Sequence, residues 1–483
     1  MVPSSTGNIE RVLIELRPRL QSANFFIAFR RNFAAIESTT IDLANDRLTI
    51  AVGKGAARER YEIRVGDFFQ LHTQTLSSLV IKNRYLCFRV NTNESNFGTE
   101  LLNVPGQGGG GPGEFEELKL AVNIEPDKRY LLLCSNCGGS LIPQASDDGI
   151  EGVVFRRVLE LPSEQMDANE WFCHRHDHAG DGEGASHQSE ENGLAGKLEP
   201  QPCDLLYGPF YALLHRTALQ RVHVRNERFV HCRRCLQFLG TIQKSRPCVK
   251  LWHEAVRFQP LAEASRVPMA LFRVDEPLEL FRLLVRKTVR ECNFVTHLGL
   301  PPMFKLMFEL HRPGLEGDVF YLLLQIMDSG LSVFRIDQKR TDPGSSGSCS
   351  EDIDDLGKQG DTKEGVSALH HFSEVEENRK DDTTDDQDDN DEEDDDVFIE
   401  TPRYRKHNIA LQRHRAMKLM YWYEKYEQQP LFTFWREDSN VVNLELSEPM
   451  FTAAIRYLDE NSSYVPECYR VNQGFSMSYL DIT

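Results

Sequence analysis

The chain contains 483 residues, 40% of them hydrophobic, and its formal charge is -19. This length provides material for two or three domains, each able to bury a hydrophobic core. The sequence lacks an apolar run of the length that a membrane helix requires, and its start lacks the pattern of a secretory signal. We therefore expect a soluble intracellular protein that does not span a membrane.

Most of the negative charge lies in one segment, residues 351–400. This segment contains 22 Asp and Glu residues against 4 Lys and Arg residues, so the other 433 residues carry a net charge of only -1. A nearly neutral folded part argues against direct nucleic-acid binding through overall basic charge. We expect residues 341–400 to form an acidic disordered linker; the alternative is a tract that mimics a nucleic acid and blocks a basic channel.

Short segments that are apolar, or that alternate between apolar and polar residues, predict strands in the N-terminal region. These segments lie at residues 12–16, 25–29, 47–50, 61–65 and 85–90. Residues 1–104 are therefore predicted to form a β-rich region. Residues 105–113 are rich in glycine but lack the Gly-Lys-Ser/Thr ending of a phosphate-binding loop, so we expect a flexible loop there.

Composition divides the rest of the chain into further regions. Residues 114–260 form a central region, interrupted at 177–200 by a segment rich in Gly, Ser, Glu and His that we expect to be disordered. Residues 265–340 have an α+β pattern, and residues 401–483 contain a basic segment followed by the C-terminal end of that α+β region.

Within the C-terminal part, Pro277 begins a predicted helix, with Asp275 as its candidate cap. Alternating apolar residues predict a strand at 304–310, and the Asp-Ser-Gly sequence at 328–330 predicts the turn of a hairpin. Residues 401–420 contain six basic residues and no acidic one, interleaved with apolar residues. This pattern predicts a basic helix with one apolar face.

Two Cys-x-x-Cys motifs give the strongest chemical signal. Cys134 and Cys137 form one, and Cys232 and Cys235 form the other. A two-residue spacer lets both thiolates of one turn reach a single cation, and two such turns supply the four ligands of a structural zinc site. The alternative is two unrelated pairs of reduced cysteines. With zinc, the expected class is β-rich α+β: a sheet-rich N-terminal region, a zinc-stapled central region and a smaller α+β C-terminal region.

A second cluster runs from Trp171 through Cys173 and His174 to His178. A thiol followed by several histidines and an arginine can have a lowered pKa, and its position beside the predicted disordered insertion indicates exposure. An ordinary surface loop explains the same residues equally well. Cys203 completes one of the two clusters or lies in the core.

Several runs of the sequence resemble the HECT-like family of ubiquitin ligases that bind ubiquitin-conjugating enzymes. Beyond the first Cys-x-x-Cys motif, the runs are residues 12–22, 155–164 and 170–174, then Cys203 and the Cys232 motif. The resemblance implies that the chain binds a ubiquitin-conjugating enzyme, accepts ubiquitin from it and passes the ubiquitin to substrates. The resemblance also implies that the protein acts in the cytoplasm and the nucleus.

A HECT-type ligase forms a thioester between ubiquitin and a cysteine near its C-terminus, a case of covalent catalysis. The most similar stretch of this chain, residues 446–452, has Phe451 at or close to that position. Phenylalanine cannot carry a thioester, which leaves Cys468 as the candidate substitute. The alternative is a non-catalytic, zinc-stapled binding protein.

The resemblance also implies inhibition of the endonuclease that cleaves pre-mRNA at its 3′ end. The segment that carries this activity in the family matches residues 161–174 of this chain, which end in Trp171, Cys173 and His174. Cys173 would bind a zinc ion of the nuclease, together with His174, and displace the water there. Trp171 would anchor the loop in the interface.

Overall fold

The computed structural model describes most of the chain. The described residues are 6–17, 20–32, 38–53, 58–93, 120–142, 152–161, 200–208, 210–242, 247–261, 267–296, 304–312, 319–336, 405–425 and 429–482. The predicted glycine-rich loop, nearly all of the predicted insertion and the acidic tract lie outside these ranges. Within them, none of the helices combines the length and the apolar character that crossing a bilayer requires.

Strands dominate the described residues. The first twelve are β1 Ile9–Arg17, β2 Ser22–Phe29, β3 Thr39–Leu43, β4 Arg47–Val52, β5 Glu59–Arg64, β6 Gln70–Leu71, β7 Ser77–Lys82, β8 Tyr85–Asn93, β9 Arg129–Cys134, β10 Val153–Val154, β11 Arg157–Glu160 and β12 Asp204–Gly208. The others are β13 Tyr211–His215, β14 Val222–Arg225, β15 Phe229–Cys232, β16 Phe238–Ile242, β17 Cys248–Trp252, β18 Val256–Pro260, β19 Phe304–His311, β20 Val319–Ile336, β21 Arg405–Ile409, β22 Leu411–Lys425, β23 Val441–Glu445, β24 Val471–Asn472 and β25 Phe475–Asp481.

Among the described residues, the α-helices lie in the C-terminal half. They are α1 Pro277–Thr296, α2 Pro430–Glu437, α3 Glu448–Ser462 and α4 Glu467–Arg470. The β-rich α+β class is thus confirmed. The N-terminal strand predictions are also confirmed, since each predicted segment falls in β1, β2, β4, β5 or β8.

Each of the two compact units of the chain is assembled from two separate segments. Unit 1 consists of Met1–Leu102 and Leu331–Arg415, and unit 2 of Asn103–Gly330 and Ala416–Thr483. In unit 1, β2 pairs with β1 and β8, and β1 also pairs with residues 332–335 of β20. A second sheet has the order β21-β5-β4-β3.

Strands β4 and β5 supply the core of unit 1 in different ways. In β5, Tyr61 and Ile63 are fully buried between less buried neighbours, as a period-two strand with one core-facing side requires. In β4, residues 48–52 are all buried, and Leu48 and Ile50 are fully so. Across the first sheet, the rings of Phe25 and Phe88 stack with centroids 4.7 Å apart. This core is continuous and includes residues from both segments of the unit.

Unit 2 contains three groups of paired strands. One sheet has the order β10-β9-β18, and a larger one has the order β11-β12-β13-β17-β16-β15-β14. In the third group, β19 pairs with β23 and with residues 319–326 of β20, while β25 pairs with β22 and β24. Helix α1 packs its apolar face on this group, where Phe281 contacts Phe308 with centroids 5.5 Å apart.

The prediction of a basic helix at 401–420 is wrong, because this segment forms β21 and most of β22. β21 pairs in parallel with β5, and residues 416–421 of β22 pair with β25. Residues 416–421 are buried without a break, because both faces of this strand are covered. A buried strand and the apolar face of a helix give similar short apolar runs, and here the basic residues nearby favoured the wrong choice.

Two smaller predictions in the C-terminal part are also wrong. Residues 328–330 do not turn a hairpin but lie inside the continuous strand β20, whose two ends pair with different strands, β19 and β1. Helix α1 does begin at Pro277, but Glu276 is its cap: the Glu276 carboxylate accepts the Glu279 N–H at 2.8 Å. Asp275 instead binds Arg257 and His253.

Candidate metal centre

The first cysteine pair lies on a tight turn at the end of β9. Cys134 is the last residue of that strand, and its carbonyl oxygen accepts the Gly138 N–H at 2.9 Å. The Cys134 N–H in turn donates to the Gly139 carbonyl at 2.9 Å. Gly138 has φ +65°, the left-handed conformation that glycine adopts without strain. This closure directs both thiols of the turn toward one point.

The second pair repeats this turn at the end of β15. The Leu236 N–H donates to the Cys232 carbonyl at 2.9 Å, and the Cys232 N–H donates to the Gln237 carbonyl at 2.9 Å. Leu236 has φ +60°, so it occupies the position that Gly138 has in the first turn. Two strands in different sheets therefore end in turns with matching backbone hydrogen bonds.

The four sulfur atoms lie together, at most 4.8 Å from one another. Cys134 Sγ is 3.6 Å from Cys235 Sγ, and Cys137 Sγ is 3.7 Å from Cys232 Sγ. Tetrahedral ligands at a Zn–S distance of about 2.3 Å are about 3.8 Å apart, so the observed separations fit a metal centre. They are too long for disulfides, whose S–S bond is about 2.05 Å, and all four cysteines are free.

The four thiols differ in burial and in pKa. Cys134 and Cys232 are buried, whereas Cys137 and Cys235 are half-buried. Burial raises the pKa of the Cys134 thiol to about 12, while the Gln237 backbone N–H lowers the pKa of Cys235 to about 7. A bound divalent cation would stabilise all four thiolates at once, which is how thiolate metal sites overcome the cost of burying charge. Four soft sulfur donors suit zinc or iron.

The two turns are also joined by backbone hydrogen bonds. The N–H groups of Gln220 and Arg221 both donate to the Leu141 carbonyl at 3.2 Å, and the Arg221 carbonyl accepts the Arg233 N–H at 3.3 Å. The residues just before β14 therefore link the chain after the first turn to the second turn. Cys134 and Cys232 belong to the same hydrophobic core. The site is therefore built into the core of unit 2, and the long sequence gap between the motifs does not separate them in space.

The sequence singled out further residues besides these four cysteines. Trp171, Cys173 and His174 lie outside the described residues. Cys203 is exposed and is not among the clustered cysteines. Its thiol is therefore neither a ligand of this site nor a core residue.

The two candidate positions for thioester chemistry have opposite environments. Phe451 lies in the first turn of α3, is only 5% exposed and packs in the core of unit 2. Cys468 is exposed on the short helix α4. A thioester requires a reactive thiol that a ubiquitin C-terminus can reach. Position 451 has no thiol and is buried. Cys468 has a thiol and is exposed, but its exposure is the only further requirement that the structure shows it to meet.

Sequence reasoning missed a buried ionisable group next to β18. His253 is fully buried, and its Nε2 lies 3.0 Å from an Asp275 carboxylate oxygen that Arg257 also faces. Burial lowers the pKa of His253 to about 4, although the negative charge of Asp275 acts to raise it. The neighbouring Glu254 carboxyl is also buried, which raises its pKa. No sequence motif indicates this group, because its members come together only through the packing of β18 against the segment before α1.

Comparison with known proteins provides the identification. No curated protein and no solved structure matches the chain. The model of one family, described as HECT-like ubiquitin-conjugating enzyme (E2)-binding, matches residues 15–477. This match spans both units, including both Cys-x-x-Cys turns and the helix that carries Phe451. The chain therefore belongs to the HECT-like E2-binding family.

Proposed function

We propose that this protein binds a ubiquitin-conjugating enzyme charged with ubiquitin and promotes transfer of the ubiquitin to substrates, in the cytoplasm and the nucleus. The observation that carries the proposal is the match to the E2-binding family over residues 15–477. Family membership supports the conjugating enzyme as a partner. Ubiquitin follows as a second partner, because the conjugating enzyme delivers it.

In this proposal the transferred ubiquitin goes directly from the conjugating enzyme to the substrate. The sequence resemblance puts the cysteine position of a HECT-type ligase at or close to Phe451, which is buried, so that position offers no nucleophile. Binding alone can accelerate transfer when it holds the charged enzyme and the acceptor amine in a reactive orientation. The protein then acts as a ligase without a thioester of its own.

The four clustered cysteines hold a structural zinc ion in this proposal. Protein sulfurs fill all four positions of a tetrahedral site, which leaves none for water or substrate. The ion would link the ends of β9 and β15 and so fix the two turns relative to each other. Zinc binding and ubiquitin transfer are therefore separate roles, and the first supports the second only by holding the fold.

The test uses the full-length chain and a panel of ubiquitin-conjugating enzymes. Binding to at least one enzyme, and faster discharge of ubiquitin from it to lysine, are the expected results. In a non-reducing gel, wild type and Cys468→Ala should show the same products and no thiol-sensitive ubiquitin adduct. An adduct that disappears in Cys468→Ala would show a thioester mechanism, and failure to bind any enzyme in the panel would refute the proposal.

A second proposed activity is inhibition of the pre-mRNA 3′-end endonuclease through Cys173. The sequence supports it with a thiol at 173 that follows Trp171 and precedes His174 and further histidines. A thiolate there can displace the catalytic water from a zinc ion of the nuclease. Cys173→Ala should abolish inhibition and leave the metal content of the protein unchanged; inhibition that survives would refute the role of Cys173.

A further inference from the structure

Leu236 combines two unusual properties. It is a large apolar residue that is 64% exposed, directly after the clustered Cys235. It also has φ +60°, a backbone conformation that residues with a β-carbon adopt only at a cost in strain. A residue that is both strained and exposed contributes poorly to folding, so its side chain requires another explanation.

The first cysteine turn shows what the fold alone needs at this position. Its matching residue is Gly138, with φ +65°, and a β-carbon added there would meet nothing within 4 Å. The hydrogen bond that closes each turn comes from the backbone N–H, which glycine and leucine both provide. Glycine would therefore serve the second turn equally well, without strain and without exposing apolar surface.

The sequence around Leu236 is basic. Residues 216–242 contain six arginines and a single glutamate. Two of these arginines, Arg233 and Arg234, are exposed within the second turn itself. Arg234 reaches across to the first turn, where its Nη1 donates to the Cys137 carbonyl at 3.5 Å. The backbone closures of both turns hold this apolar tip and its cationic neighbours in a fixed arrangement.

We propose that Leu236, Arg233 and Arg234 form the surface that docks the ubiquitin-conjugating enzyme. Leu236 inserts into an apolar pocket of the enzyme, and the two arginines pair with carboxylates at the rim of that pocket. An apolar anchor with charged groups at its edge is the usual composition of a protein interface. This inference rests on the proposed function, because family membership is what names the partner.

A nucleic acid fits the same surface less well. Phosphates would contact the arginines, but surfaces that bind single-stranded nucleic acids also use aromatic rings on which bases stack, and an aliphatic tip offers none. Binding of the enzyme explains both the charge and the strained leucine, whereas binding of a nucleic acid explains only the charge.

The test is Leu236→Gly, which gives the second turn the residue that the first turn has. Because the strain is removed, the metal content should be unchanged and the melting temperature equal or higher. Affinity for the conjugating enzyme, measured by calorimetry, should fall about tenfold or more, as expected when a buried leucine anchor is lost. Leu236→Asn, which tolerates the left-handed conformation, should weaken binding in the same way.

The matched control is Leu159→Ala. Leu159 is 48% exposed on β11, at the opposite edge of the same seven-stranded sheet, and its removal should leave the affinity unchanged. Arg234→Ala should weaken binding more at low salt than at high salt, since the rim pairs are screened.

Three results would overturn the inference, and they differ in what else they affect. If wild type binds the enzyme and both Leu236 variants bind equally well, only this docking surface is wrong. If wild type binds none of the conjugating enzymes, the proposed function fails as well. Displacement of the bound enzyme by a short single-stranded RNA, with affinity for that RNA unaffected by Leu236→Gly, would assign the surface to nucleic acid and also overturn the inference.

Discussion

Removing one cysteine from either Cys-x-x-Cys motif should lower the free energy of unfolding by the same large amount. Cys134→Ser and Cys232→Ser each remove one sulfur from a group in which all four atoms lie within 4.8 Å. The two motifs are separated by the 94 residues from 138 to 231. A metal that binds both motifs therefore closes a long loop, which restricts the unfolded chain.

The size of the effect follows from that loop. Cross-linking a loop of about 100 residues is worth about 4.7 kcal/mol in the chain-entropy treatment. The hydrogen bonds from Gln220 and Arg221 to Leu141 form in the folded state only, so they do not reduce this restriction of the unfolded chain. At roughly 2–4 °C per kcal/mol, the melting temperature of either variant should fall by about 10 °C or more.

The assay combines metal analysis with thermal unfolding of the full chain. Wild type should contain one zinc ion per chain, and each variant should contain none and match wild type treated with a chelator. Cys203→Ser is the control, because Cys203 is an exposed cysteine outside the cluster. Stoichiometric metal in either ligand variant, or a wild type without metal whose melting temperature chelator does not change, would refute the reasoning.

Three further predictions concern single side chains of unit 2, each checked by urea unfolding. Burial holds the pKa of His253 near 4 instead of 6.5, so between these pH values the unfolded state binds more protons than the folded state. The free energy of unfolding of wild type should therefore fall by about 3 kcal/mol from pH 6.5 to pH 4. His253→Gln should lack this loss. Tyr421→Phe should cost about 2 kcal/mol, because its hydroxyl donates to Asp459 at 2.6 Å in a buried setting. Tyr423→Phe, with a 3.1 Å bond and an exposed ring, should cost less than about 0.5 kcal/mol. Gly240→Ala should cost about 3 kcal/mol, since a β-carbon there would overlap a carbonyl oxygen of β17.

The sequence predicted elements well where one face of the element is buried and the other is not. Tyr61 and Ile63 alternate with polar residues, and β5 lies where that alternation does. Helix α1 was predicted from its apolar positions at helical spacing and from Pro277 at its start. In these elements local chemistry and tertiary environment agree, which is the condition for reading structure from sequence.

Prediction failed where tertiary contacts decide the structure. Residues 416–421 are covered on both faces, so their apolar run carries no period that separates strand from helix. The Asp-Ser-Gly at 328–330 has the composition of a turn, but β20 pairs with different strands on either side of it and continues through. Long-range pairing overrides local turn preference at such a position.

The candidate site was predicted in part for the same reason. Paired cysteines carry their chemistry in their spacing, so the motifs were visible, although only the fold could bring Cys137 and Cys232 within 3.7 Å. Leu236 gave one signal that could have been used: it follows Cys235 where Gly138 follows Cys137. The apolar neighbours of His253 in the sequence indicate a core residue, but they do not indicate its contacts with Asp275 and Phe272, which are distant in sequence.

In the proposed function, unit 2 binds the partner without supplying a catalytic thiol. A HECT-type mechanism needs a reactive thiol near the C-terminus, yet there Phe451 fills the core and its loss would open a cavity worth about 3–5 kcal/mol. The exposed and strained residue, Leu236, lies instead on the second cysteine turn, more than 200 residues earlier in the chain. If that turn binds the conjugating enzyme, the only thioester required is the one the enzyme already carries. Phe451→Cys should therefore fail to form a ubiquitin adduct, because the substitution supplies a thiol but the position remains buried and out of reach of ubiquitin.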